Sequence, residues 1–123
     1  MNDQHAKSDG VSVQVNYDFG DTTLTSISSL RHLRSWGPGD DADSTPIDLL
    51  NTNFGHSDLR NESQEFRLAS SENNFIDHVT GLYYFHSTQV YQTLQVGQPP
   101  LPLPYVLGQS SLTNAEERSY AAF

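Results

Sequence analysis

Histidines and aspartates are the residues of this sequence whose chemistry and spacing could form a metal site. His78 and His86 are eight positions apart, so on one extended strand they share a face but lie about 26 Å apart, too far to bind one metal ion. The segment GDDADSTPID supplies four aspartates, Asp40, Asp41, Asp43 and Asp48, which are oxygen ligands of the kind that calcium accepts. Because it lacks the Asp-x-Asp-x-Asp-Gly spacing of a calcium loop, we interpret it as a solvated loop and predict no metal or other cofactor.

Catalytic motifs are missing from the sequence. It contains no Gly-x-Ser-x-Gly elbow, no phosphate-binding loop and no His-Glu-x-x-His pair. Glu65 and Arg67 are two positions apart and therefore share one face of a strand, where the simplest interpretation is an ion pair that faces water. No segment combines a nucleophile, a base and an oxyanion-binding group, so we do not expect an enzyme.

Composition and charge reduce the number of protein classes to which the chain could belong. The chain has 123 residues, a net charge of −9 and only six lysines and arginines, which argues against binding to nucleic acid. It has no cysteine, so disulfides and thiolate metal sites are excluded. No run approaches the roughly 20 apolar residues of a membrane helix. The N-terminal segment MNDQHAKSDG has no apolar core of a signal peptide and, taken alone, predicts a cytoplasmic chain.

Alternation of apolar and polar residues predicts an all-β fold. The clearest case is VSVQVNYDF, which places Val11, Val13, Val15, Tyr17 and Phe19 on one face of a strand. Together with the other strand-like segments of the chain, it predicts an antiparallel up-and-down meander of about five long strands. We place these strands near 11–19, 22–36, 57–69, 76–94 and 118–123, with long loops at 37–56 and 95–117.

The lengths of the strands and loops bear on the medium around such a sheet. A soluble sandwich explains the alternation, but its strands usually have about five or six residues. A strand that spans an outer membrane needs about 9–11 residues, and short turns alternate there with long loops. The sequence has both features, and the pairs Tyr17 with Phe19 and Tyr83 with Phe85 fit aromatic girdles at the membrane interfaces. We therefore predict part of a transmembrane β-barrel.

Four segments carry a resemblance to a known family. NYDFGDTTLTSISSLR, SQEFRLAS, HVTGLYYFHS and ERSYAAF resemble successive strand hairpins in the barrel of TonB-dependent outer-membrane receptors, over residues 11–34, 60–88 and 117–123. The resemblance implies a piece of a barrel of about 22 strands, without the plug domain through which intact receptors contact TonB. Such a parent lies in the outer-membrane lipid of a Gram-negative bacterium and imports a scarce small-molecule ligand such as a siderophore, a cobalamin or a glycan. The piece alone would not transport.

The expected ligand contacts lie at or beyond the ends of the predicted strands. In outer-membrane barrels the long loops face outside and the short turns face the periplasm. Candidate ligand contacts on this basis are Trp36, Asp40, Asp41, Asp43 and Tyr105. The identity of the ligand does not follow from these residues.

A second interpretation stays open at this point. The chain could form a soluble β-sandwich module that binds a ligand such as a carbohydrate, with Trp36, Tyr83 and Tyr91 in a cleft.

Overall fold

The chain forms one sheet of five antiparallel strands, which pair in chain order. The structure is a computed structural model, and it describes residues 4–38, 51–70, 78–97 and 107–123. The strands are β1 (His5–Asp18), β2 (Thr22–Gly37), β3 (Asn51–Ser70), β4 (Val79–Gly97) and β5 (Leu107–Ala122). The described residues contain no helix. The predicted all-β antiparallel meander of five long strands is therefore confirmed. None of the described residues belongs to a helix that could cross a membrane.

Three strands begin earlier than the alternation predicts. β1 begins at His5, β3 at Asn51 and β5 at Leu107, whereas we expected residues 11, 57 and 118. The intervals between strands are correspondingly shorter than the predicted loops, at 38–50 and 98–106. The added segments, such as LGQSSLTNAEE in β5, are mostly polar. Pairing with a neighbouring strand satisfies the backbone hydrogen-bonding groups of these segments. The ladder of backbone hydrogen bonds therefore continues through them, although they have no apolar period.

The turn between β1 and β2 is set by a glycine. Gly20 has a φ of 78°, a conformation that glycine adopts at little steric cost. The backbone N–H of Phe19 donates to the carbonyl oxygen of Thr22 at 2.7 Å. On the next pair, the Thr23 hydroxyl donates to the Asp18 carboxylate at 2.6 Å. Together these contacts close a tight hairpin.

The chain divides into two compact units, each made of three segments. The turn-side unit consists of Asp9–His32, Arg60–Thr88 and Glu116–Phe123 and includes both short connections. The loop-side unit consists of Met1–Ser8, Leu33–Leu59 and Gln89–Ala115 and includes both long connections.

The described strands do not enclose an apolar core. No hydrophobic side chain among the described residues is buried, and Val11, Val13 and Val15 have exposed fractions of 59%, 56% and 59%. A soluble domain covers such a set with a second layer. In this sheet, backbone hydrogen bonds and cross-strand side-chain pairs supply the contacts that hold the strands together.

Candidate functional site

In the turn-side unit, each pair of neighbouring strands has a contact that fixes its register. Each contact joins two residues that lie directly opposite one another: Phe19 with Thr22, Ser29 with Ser63, Ser70 with His78, and Gly81 with Phe123. Opposite residues of an antiparallel pair point to the same face, and successive residues alternate between faces. These pairs therefore assign the strand residues of this unit to one of two faces.

One face of the turn-side unit carries most of its apolar residues, and we call it the valine face. The rings of Tyr84 and Tyr120 meet on it, with centroids 5.1 Å apart, and those of Tyr17 and Phe19 are 4.5 Å apart. In the register described above, its apolar members are Val11, Val13, Val15, Tyr17, Phe19, Leu24, Leu30, Phe66, Leu68, Leu82, Tyr84, Tyr120 and Ala122. The same face also carries polar and charged residues, among them Ser26, Ser28, Glu62, Gln64, His86, Glu116 and Arg118.

The opposite face of the turn-side unit combines charged and aromatic residues. The predicted pair is present there, with Arg67 Nε 3.0 Å from Glu65 Oε1. The register places Tyr83 and Phe85 on this face, on the strand next to that pair. Our expectation that Tyr83 with Phe85 lies in the same kind of girdle as Tyr17 with Phe19 is therefore wrong, because the two pairs are on different faces. Alternation within β4 defines two faces but not which of them continues the apolar face of β3.

A polar group in the middle of the valine face is satisfied by its neighbours. The Ser28 hydroxyl donates to Gln64 Oε1, and Gln64 Nε2 donates to the Ser26 hydroxyl at 3.1 Å. Both ends of the amide therefore have partners on β2. A buried or lipid-exposed polar group is costly only when it lacks such partners, so this group is compatible with an apolar medium.

A charged cluster lies on the valine face itself, next to Tyr84 on β4. His86 Nε2 is 3.1 Å from Glu116 Oε1 and His86 Nδ1 is 3.9 Å from Glu62 Oε2. Arg118 Nε donates to the same Glu116 oxygen at 2.9 Å. Among the residues that the structure describes, no group of three or more histidine or acidic side chains could hold a metal ion. The members of the cluster come from three strands, so the spacing of His78 and His86 along the chain did not reveal it.

The loop-side unit contains a concave region of about 400 Å³, which we call the hollow. In the register of the sheet, Ala6, Ser35, Ser57 and Tyr91 form one row across four strands, so their side chains emerge on the same side. The residues that line the hollow are Gln4, His5, Ala6, Ser35, Trp36, Gly37, Pro38, Gly55, His56, Ser57 and Tyr91.

Of the predicted ligand contacts, the structure places Trp36 in the lining of the hollow. Its ring stacks on that of His5, with centroids 5.8 Å apart and planes at 26°. Asp40, Asp41, Asp43 and Tyr105 lie outside the described residues. Sequence analysis missed the small residues of the hollow, because they are unremarkable in each strand and meet only through the register.

The chain matches no protein-family model, and neither a curated protein nor a solved structure is significantly similar to it.

Proposed function

We propose that this chain is part of the β-barrel of a TonB-dependent outer-membrane receptor, in which the apolar part of the valine face meets lipid. The valine face carries the proposal. On β1 its apolar residues run without interruption from Val11 to Phe19, which corresponds to about 26 Å along the strand. At a barrel tilt of about 40° this run covers about 20 Å of height, close to the apolar band of about 25 Å in outer-membrane barrels.

The lengths of the strands support the same proposal. The five strands have 14, 16, 20, 19 and 16 residues, well beyond the five or six that are usual in soluble sheets. A membrane-spanning strand needs about 9–11 residues. Each strand is therefore long enough to span a bilayer and to extend beyond it.

The opposite face of the turn-side unit suits a water-filled interior. On β1 it carries Ser12, Gln14 and Asn16, and Gln14 Nε2 donates to Asn16 Oδ1 at 3.1 Å. The Glu65–Arg67 ion pair is on the same face. Outer-membrane barrels alternate lipid-facing apolar and interior polar residues along each strand in this way.

The two edge strands, β1 and β5, explain why we propose a fragment rather than a complete transporter. Each edge presents backbone groups that a further strand can pair with, and lipid offers no hydrogen bonds to replace that strand. In the proposed receptor, further strands of the barrel pair with both edges. A plug domain transmits the action of TonB, and the assembled protein imports a small-molecule ligand.

The alternative, a soluble sandwich module, has less support. A sandwich needs a second sheet to cover the valine face, and the described strands all belong to one sheet. Trp36 and Tyr91 both line the hollow, but the register puts their side chains on opposite faces of the sheet, and Tyr83 does not line it.

Spin labels on β1 would test the proposal directly. The chain has no cysteine, so each residue from Val11 to Phe19 can be changed to cysteine and labelled with a nitroxide in lipid vesicles. Collisions with oxygen, which concentrates in lipid, should be frequent at Val13→Cys. Collisions with a water-soluble nickel chelate should be frequent at its neighbour, the matched control Gln14→Cys. Equal accessibility to the nickel chelate at all nine positions would rule out a lipid-facing side.

A further inference from the structure

A line of ionisable side chains crosses the valine face of the turn-side unit, and we call it the charged line. In the register of the sheet, Asp9, His32 and Arg60 lie opposite one another on β1, β2 and β3. The line continues through Glu62 to the cluster around His86 that is described above. Its members are Asp9, His32, Arg60, Glu62, His86, Glu116 and Arg118. They supply three carboxylates, two guanidinium groups and two imidazoles.

The charged line forms one end of the apolar part of the valine face. Between the line and the short turns, the described strands place no lysine, arginine, histidine, aspartate or glutamate on this face. On β1, for example, Asp9 is followed on this face by the apolar run from Val11 to Phe19. A charged side chain is costly at the middle of a bilayer and costs little near its surface. With the apolar part in lipid, the charged line therefore lies at the level of the lipid headgroups.

Two concave regions lie where the charged line meets the apolar part. One has a volume of about 370 Å³, and Asp9 and Arg60 are among the residues that line it. The other has a volume of about 350 Å³, and Val13 and Tyr84 are among the residues that line it. The regions adjoin, because both are lined by Val11, Leu30 and Glu62. From Asp9 to Val13 the two regions extend about 13 Å along β1, with charges at one end and apolar groups at the other, as in a lipid molecule.

The signs of the charges select the kind of headgroup. Surfaces that bind anionic lipids carry clusters of lysine and arginine. The charged line instead has three carboxylates and two guanidinium groups, and the whole chain has a net charge of −9, which repels an anionic surface. A zwitterionic headgroup carries one group of each sign. Its phosphate accepts hydrogen bonds from a guanidinium group, and its ammonium group donates hydrogen bonds to a carboxylate.

We propose that the charged line binds zwitterionic lipid headgroups that contain a phosphate and an ammonium group. Arg60 donates to the phosphate, and Asp9 and Glu62 accept from the ammonium group. An acyl chain of the same lipid lies along Val11 and Leu30. Arg60 also interacts within the chain, and its five N–H donors can serve more than one acceptor. This inference rests on the proposed function, which places the apolar part of the valine face in lipid.

Spin-labelled lipids measure which headgroup the chain prefers. The full chain would be placed in phosphatidylcholine vesicles that contain a trace of one lipid with a nitroxide on its acyl chain. The three probes are phosphatidylethanolamine, which is zwitterionic, phosphatidylglycerol, which is anionic, and diacylglycerol, which has no phosphate. The fraction of each probe whose motion the protein restricts gives its association constant relative to the host lipid. We expect phosphatidylethanolamine to associate about two- to fivefold more strongly than either other probe, as is usual for exposed ion pairs.

Two double variants of β3 separate the charged line from charge elsewhere on the chain. Arg60→Gln with Glu62→Gln removes one charge of each sign from the line and leaves the net charge at −9. Arg67→Gln with Glu65→Gln makes the same change on the opposite face of the same strand, so it is the matched control. The first variant should lose the preference for phosphatidylethanolamine, and the control should keep it. Far-UV circular dichroism of both variants checks that the sheet is retained.

Each result bears on the inference. A preference for phosphatidylethanolamine that is lost in the first variant and kept in the control would establish that the charged line binds zwitterionic headgroups. Equal association of the three probes, a preference for another probe, or a preference that the two double variants keep or lose alike would overturn it. The spin-label test on β1 decides the proposed function separately. Frequent oxygen collisions at Val13→Cys, together with equal association of the three probes, would leave the lipid-facing side standing while refuting this inference.

Discussion

Replacement of Gly81 by alanine should destabilise the pairing of β4 with β5. Gly81 and Phe123 exchange two backbone hydrogen bonds of 2.8 and 3.1 Å, and the Phe123 ring lies over the glycine. A Cβ at position 81 would be 2.5 Å from Phe123 Cζ and 2.8 Å from the backbone oxygen of Phe66. The ring can turn aside, but the oxygen belongs to the neighbouring strand. We therefore expect Gly81→Ala to lower the free energy of unfolding by about 1–3 kcal/mol, the usual cost of overpacking.

A second substitution separates the two clashes. Phe123→Ala removes the ring and leaves the Phe66 oxygen in place, so the double variant with Gly81→Ala should be less destabilised than the sum of the single variants. The coupling free energy should be about 0.5–3 kcal/mol, the range for residues in direct contact. It measures the part of the strain that comes from the Phe123 ring.

Urea unfolding of the chain in detergent micelles, followed by circular dichroism, provides the measurement. Gly55→Ala is the matched control, because its added Cβ meets nothing within 4 Å and should change stability by less than about 1 kcal/mol. If Gly81→Ala and Gly55→Ala had the same urea midpoint, the reasoning about the close approach at Gly81 would be wrong.

Two further predictions concern the valine face in lipid vesicles. Val15→Lys, at the centre of the apolar run, should cost about 2–4 kcal/mol of unfolding free energy, whereas Gln14→Lys on the opposite face should cost much less; equal urea midpoints for the two variants would argue against a lipid-facing side. Gln64→Ala should cost about 1–3 kcal/mol because the hydroxyls of Ser26 and Ser28 lose their partner; changing both serines to alanine in that variant should recover part of the loss, and no recovery would mean that the amide is not what satisfies them.

Much of the fold could be predicted because apolar residues alternate where strands carry a one-sided apolar surface. The run from Val11 to Phe19 is such a case, and nearly all of it lies within β1. The first half of β5 has no comparable period, since glycine, glutamine, serine, threonine and asparagine dominate it. Its strand conformation depends on pairing with β4, which is a tertiary contact that a local pattern does not contain.

The candidate sites were less predictable, because they depend on register. Glu65 and Arg67 could be paired from their spacing, since they lie on one strand. The hollow could not, because Ser35 and Ser57 are 22 positions apart and become neighbours only when β2 and β3 align. The same limitation explains the wrong assignment of the face of Tyr83.

The hydrogen bonds between Gln64 and its two serines favour one alignment of β2 with β3 over its alternatives. A slip of two residues between β2 and β3 keeps every side chain on its own face, so apolar contacts alone discriminate poorly against it. In one direction the slip leaves Leu24 and Ser26 as the neighbours of Gln64, and in the other it leaves Ser28 and Leu30. Either slip deprives one end of the amide of its partner. In water that end would be solvated at little cost, but in lipid it stays unsatisfied at a cost of several kcal/mol. The membrane itself would then reject misaligned hairpins that water tolerates.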